Sequence, residues 1–140
     1  MAKEILTKIK LQIRGGQANP APPVGPALGQ AGLNIQEFCT KFNEASKAKM
    51  GALVPVEITV YKDRSYDFTM KESPASEMLK EIAKLKKGSS KCLTEKVGTI
   101  TRAQLKQVAE QKMPDLNTNN IEQAMKIIAG TAKQMGLEIK

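Results

Sequence analysis

Histidine and tryptophan are absent from this chain, and only two of its 140 residues are cysteine. Each absence removes a class of function. With no His, and with Cys39 and Cys92 far apart in sequence, a typical zinc site is excluded and no disulfide framework is indicated. Two lone thiols fit a reducing cytosol. Cys39 lies among apolar residues and reads as core rather than nucleophile. There is no Walker loop, no nucleophile elbow and no carboxylate cluster outside surface positions, so catalysis finds no support. Apolar runs stay well short of a membrane span, and Ala2 to Arg14 alternates apolar residues with Lys and Gln instead of forming a signal-peptide core. The expectation is a cytoplasmic protein with no metal, no cofactor, no membrane partner and no enzymatic activity.

What the chain does have is positive charge. Lys and Arg number 22 against 14 Asp and Glu, for a net +8. Such a balance calls for a polyanionic partner, nucleic acid before membrane. Residues 1–70 hold 9 basic and 6 acidic residues, while residues 71–140 hold 13 and 8. All five aromatics (Phe38, Phe42, Tyr61, Tyr66, Phe68) lie in the first half. The more basic half therefore has no ring on which to stack a base. That points to folded RNA, met through backbone, shape and small-residue contacts.

The segment Pro20–Gly32 holds four prolines and three glycines in thirteen residues, with no charge. Proline fixes φ, and glycine opens positive φ, so this backbone is heavily prescribed. A flexible linker would be richer in polar residues. The segment reads as a rigid, mostly apolar surface element built to dock, with a proline-rich spacer as the alternative. Pro22, Pro23 and Pro26 are its candidate contact residues.

The architecture predicted is α+β in two domains. Residues 1–70 read as an α/β domain with a small antiparallel-containing sheet, 71–73 as a hinge, and 74–140 as a three-helix RNA-binding domain. Ile5 to Ile13 alternates as a strand with Ile5, Ile9, Leu11 and Ile13 on one side. A short helix is expected around Pro23 to Gln30, and a second, capped by Asn34 and Glu37, through about Ser46. Val54 to Val60 and Tyr66 to Met70 flank Asp63-Arg64-Ser65 as a hairpin. In the second half, Ser73 caps a helix from Pro74 to Lys86. Thr101 and Gln104 form a capping box for a helix through Lys112. A third helix spans Thr118 to Gln134, and Leu137 to Ile139 forms a short strand. Met78, Met113, Met125 and Met135 read as core filler.

Three places could meet RNA. Lys86, Lys87, Gly88, Ser89 and Lys91, followed by Lys96, can neutralise phosphates and approach closely, or simply form a solvated loop. Gly130, Thr131, Lys133 and Gln134 place a glycine inside a helix at a cost of about 1 kcal/mol. Either tight packing or a close partner must offset it. Asn117 and Asn119 begin the last helix, as caps or as part of a phosphate-facing N-terminus.

Five stretches in register resemble the family of bacterial large-subunit ribosomal protein eleven, the stalk-base protein. They are Lys10 to Ile13; Asn19 to Gly29 with Asn34 to Cys39; Val56 to Ser65; Lys112 to Asn117; and Gly130 to Gly136. The resemblance covers essentially the whole chain. It implies a structural ribosomal component that binds the GTPase-associated region of large-subunit rRNA. In the family the lysine loop binds RNA, and the Gly130 turn lies against its minor groove. Gly130 and Thr131 carry over; the family has Ser where this chain has Gln134, which leaves that contact open. Asn117 carries over better than Asn119. The implied partners are neighbouring stalk proteins, translational GTPases, the stringent-response synthetase and thiopeptide antibiotics; the proline element is the implied surface for the antibiotics and for elongation factors. The family is methylated at its N-terminus, which matches Ala2 and Lys3; Thr40 occupies the position of a further methylated lysine. A free regulatory RNA-binding protein is the competing reading, and a small enzyme a distant third.

Overall fold

The computed structural model describes residues 2–140. The chain forms two compact units, one ending at Lys71 and the other running from Glu72 to Lys140. Together they are α+β.

In the first unit, β1 (Ile5–Arg14), β2 (Leu53–Tyr61) and β3 (Tyr66–Met70) form an antiparallel sheet in that order. Helices α1 (Val24–Gln30) and α2 (Ile35–Ala45) bring Leu28, Phe38 and Phe42 into the core with Ile13, Val54, Val56, Ile58 and Val60. Strict alternation in β2 buries every second side chain. Phe38 is the hub: its ring lies 5.9 Å from Phe42, 5.7 Å from Phe68 and 6.1 Å from Tyr66. The Asn34 side chain accepts from the Glu37 amide, but the Glu37 carboxylate turns to Lys41, so only half of the expected cap pair forms. Burial pushes the Cys39 thiol pKa up, which keeps it a protonated core group.

Ile5 departs from expectation. The β1–β2 register shifts between Ile5 and Thr7, and this irregularity ends the alternation. Ile5 is 52% exposed and Leu6 59%, while Ile9, Leu11 and Ile13 keep the core side.

The second unit packs α3 (Ala75–Ala83), α4 (Arg102–Lys112) and α5 (Ile121–Gln134) around Leu79, Val108, Ala109, Ala124, Ile128 and Ala132. The Thr101–Gln104 capping box forms with both of its bonds. Three boundaries differ from the sequence reading. Pro74 is the cap residue, with ψ 142, and makes no side-chain cap bond. Ser73 does not cap; its carbonyl, with that of Glu72, accepts from Lys112 Nζ. α3 ends at Ala83 because Lys84 turns left-handed (φ 55), which sends Leu85 back into the core. α5 starts three residues after Thr118, because the Thr118 hydroxyl accepts from the Asn120 amide and holds a turn there. Asn120 is the cap, accepting from Glu122.

Among the strands, one was not anticipated. β4 (Gly98–Ile100) pairs in parallel with β5 (Leu137–Ile139).

Phe38→Ala should cost about 3–5 kcal/mol, because no neighbouring ring can collapse into the gap. Thr101→Ala should cost only about 1 kcal/mol, the value of one cap. Urea denaturation of the two variants checks this; equal losses would contradict the hub role of Phe38.

Candidate nucleic-acid interface

α5 ends at Gln134, and Gly136 follows with φ +83. A Cβ at Gly136 would sit 2.6 Å from Ser89 Cβ and 3.1 Å from the Glu95 carbonyl oxygen. Only glycine satisfies both the backbone conformation and the approach. The segment 86–97 therefore closes onto the helix end. The Ser89 amide donates to the Met135 carbonyl at 2.9 Å, and the Val97 amide donates to the Gly136 carbonyl at 2.9 Å. Cys92 Sγ donates to Gln134 Oε1 at 3.6 Å. Within the segment, Ser89 Oγ accepts from the Lys91 amide, and Lys96 Nζ donates to the Cys92 carbonyl. The lysine segment is a folded shelf against the end of α5.

Two of the three candidate regions thus meet. Lys86, Lys87, Lys91 and Lys133 are exposed, and none takes part in an ion pair among the described residues. Gly88 and Ser89 are half-buried against Met135. Gly130 lies on the exposed side of α5, and a Cβ there would find no heavy atom within 4 Å. Packing inside the protein does not account for this glycine. Thr131 is half-buried, and Gln134 is exposed beside Cys92.

The third region stands apart. Asn117 and Asn119 are exposed ahead of α5. From Ile121 at the helix start to Gly130 is about 14 Å along the axis. Neither residue is the cap.

The proline element is held by its own unit. Asn43 accepts from the Ala18 amide at 2.9 Å and donates to the Ala18 carbonyl at 3.2 Å. Gly25 lets the chain fold tightly, since a Cβ there would lie 2.1 Å from the Pro20 carbonyl oxygen. Val24, Gly25 and Leu28 turn inward, while Pro22, Pro23 and Pro26 are exposed. The Pro22–Pro23 peptide bond is cis. A cleft of about 180 Å³ beside them is lined by Gln12, Arg14, Gln17, Asn19, Pro22 and Pro23.

Ala2 is exposed, and Lys3 Nζ reaches the β2–β3 turn. It donates to Ser65 Oγ at 3.1 Å, pairs with Asp63 at 3.4 Å and lies 5.5 Å from the Tyr61 ring centre. Bonds from the Ser65 hydroxyl and amide, together with Lys3, hold the Asp63 carboxyl below its ordinary pKa.

Sequence reading missed the shelf. Its one visible signal was Gly136 after the last helix, the usual position of a left-handed helix stop. Nothing local marked Cys92 as the partner of Gln134.

Small residues and lysines without ion pairs thus meet at the end of α5, and family comparisons give the class of protein: a ribosomal protein that binds ribosomal RNA. The family model described as ribosomal protein L11, N-terminal domain, matches residues 9–66. The model described as ribosomal protein L11, RNA binding domain, matches residues 71–139. The chain belongs to the ribosomal protein L11 family, a family of structural RNA-binding proteins. No helix among the described residues is long and apolar enough to cross a membrane.

The two glycines of this region should answer oppositely to alanine. Gly130→Ala should stabilise the free protein by about 1 kcal/mol, since the helix gains and nothing clashes. It should nevertheless weaken RNA binding. Gly136→Ala should lower both, because it pushes the shelf off α5. Thermal melting and rRNA titration of each variant decide the matter; a destabilised Gly130→Ala would return that glycine to an internal packing role.

Proposed function

We propose that this protein is a non-enzymatic component of the base of the large-subunit stalk, anchored by its second unit to the GTPase-associated region of large-subunit rRNA. The observation that carries the reading is the bare side of Gly130, open to solvent within the helix whose end carries the lysine shelf. A folded RNA groove can lie against that backbone where any side chain would hold it off. Lys86, Lys87, Lys91, Lys96 and Lys133 supply the phosphate contacts, Gly88, Ser89 and Thr131 the close approaches, and Gln134 a polar edge. Asn117 and Asn119 form a separate, outlying contact.

The first unit, 1–70, serves a different task, and residues 71–73 act as the hinge to the anchor domain 74–140. Its exposed prolines offer rigid apolar surface, on which docking loses little entropy. They are the surface for translational GTPases, the stringent-response synthetase and thiopeptide antibiotics. Neighbouring stalk proteins complete the set of partners, and the site of action is the cytoplasmic ribosome. Ala2 and Lys3 are the methylation sites. Three methyl groups on Lys3 Nζ would preserve its charge and its place over Tyr61 but remove the bond to Ser65. Peptide mapping of the native protein should find methyl groups at Ala2 and Lys3 and none at Lys41.

Two titrations test the division of labour. A fragment of residues 72–140, which has its own core, should keep most of the rRNA affinity, with a log–log salt slope of about −3 to −5. Pro23→Ser in the full chain should leave rRNA affinity nearly intact and lower thiopeptide affinity for the protein–RNA complex. A flat salt response would contradict the anchor. Equal losses in both titrations would make the proline element part of the RNA contact. Failure to remain with large subunits through a high-salt wash would favour a free regulatory RNA-binding protein.

A further inference from the structure

Six large apolar side chains are exposed among the described residues: Ile5, Leu6, Met50, Leu93, Val97 and Ile127. Scattered exposure of this kind is normal and by itself needs no explanation. The distribution in the second unit is different. Leu93, Val97 and Ile127 are its only members, and each belongs to the shelf or to α5. Leu93 is 89% exposed and Ile127 43%.

Helix geometry relates them to Gly130. Ile127, Gly130 and Gln134 follow one another at spacings of three and four, so they share one stripe of α5. Ile127 lies about 4.5 Å before Gly130 along the axis, and Gln134 about 6 Å after it. Gln134 in turn accepts from the Cys92 thiol, so the residue before Leu93 touches the last turn of α5. The bare backbone of Gly130 thus has Ile127 one turn before it on its own stripe, and Leu93 lies on the segment bonded to that stripe at Gln134. Lys126 and Lys133 border the same stripe, and Lys91 and Lys96 border Leu93 in sequence.

We propose that Leu93 and Ile127 form an apolar contact strip that packs on ribose and base surfaces of the rRNA groove lying over Gly130. The proposal rests on the anchor reading above and adds a second kind of contact to it. Lysines around the strip hold the phosphates, which gives affinity without discrimination. Apolar side chains wedged into a groove instead respond to its width and to any unstacked base. They release no counterions. The strip therefore supplies a part of the affinity that salt leaves unchanged, in a unit without aromatic residues. Charge favours RNA as the occupant, because an apolar protein partner would have to bring acids for the surrounding lysines. The surface is also continuous with the lysine shelf.

The experiment is a titration of the full chain with large-subunit rRNA across a series of salt concentrations. Leu93→Ser and Ile127→Ser should each bind about tenfold weaker at every salt concentration, with the log–log slope of the unaltered chain. Lys91→Ala should instead reduce the magnitude of the slope by about 1. Leu93→Met and Ile127→Met should bind as the unaltered chain does, because the apolar surface is kept. Thermal melts of all variants should coincide, since both side chains are exposed. Unchanged rRNA affinity in both serine variants overturns the strip while leaving the anchor standing. A changed slope in the serine variants overturns it too. Sedimentation showing a dimer that the serine variants dissolve, at unchanged rRNA affinity, makes the strip a contact between copies and also overturns the proposal. An unaltered chain that ignores rRNA overturns the anchor reading and the strip together.

Discussion

The absence of a side chain at Gly136 is the constraint on which the RNA-facing half of this protein depends. Its left-handed backbone ends α5, and its bare α-carbon admits Ser89 and the Glu95 carbonyl. Two backbone bonds then join the lysine segment to the helix end. The same closure aligns Gly98 with Leu137, so β4 and β5 pair directly after it. One missing methyl group thus sets the loop, the small sheet and the position of the lysines relative to Gly130. Backbone bonds suit this task because they tolerate side-chain variation in the loop while fixing its path.

Charge is arranged differently in the two units. In the first, Lys3, Lys8, Lys41, Lys62 and Lys71 all pair with carboxylates. Glu57 shows the effect most clearly. Desolvation works against its carboxylate, but Lys71, Lys8 and Lys10 outweigh it and leave the pKa below the ordinary value. In the second unit only Lys80 and Lys112 form pairs among the described residues. Exposed pairs of this kind add little stability. Their consequence is one of availability: the first unit pairs at least five of its cations internally, while Lys86, Lys87 and Lys91 of the shelf take part in no ion pair among the described residues. The Lys112–Asp115 pair is less exposed and has a structural task, since the two side chains also bind the backbone of Glu72 and Ser73.

Rigidity serves both surfaces. The proline element turns its apolar residues inward and its prolines outward, and Asn43 fastens the chain ahead of it. Proline and glycine limit the conformations open to the element, so a partner docking on it would find less entropy to remove. On the other unit, an uninterrupted helix presents Gly130 as bare backbone without loosening the core beneath it, where Ala124, Ile128 and Ala132 stay fully packed.

Features written in short-range patterns were legible from the sequence alone. The Thr101–Gln104 capping box, the β2–β3 hairpin and the outward prolines each depend on residues within a few positions of one another. Local sterics and helix or strand periodicity suffice for these. Net charge likewise marked a polyanion partner before any fold was known. Tertiary structure decided the rest. Ile5 faces solvent because of an irregularity in pairing with a distant strand, and Pro74 rather than Ser73 is the cap residue of α3, while the Ser73 carbonyl accepts from the distant Lys112. The parallel pairing of Gly98–Ile100 with Leu137–Ile139 has no turn signal, since parallel strands need no adjacent residues. Gly130 is the sharpest case. Its spacing in the sequence marked it as unusual, but internal packing and external approach predict the same residue. Only the empty space around its α-carbon separates them, and that space is set by how three helices pack.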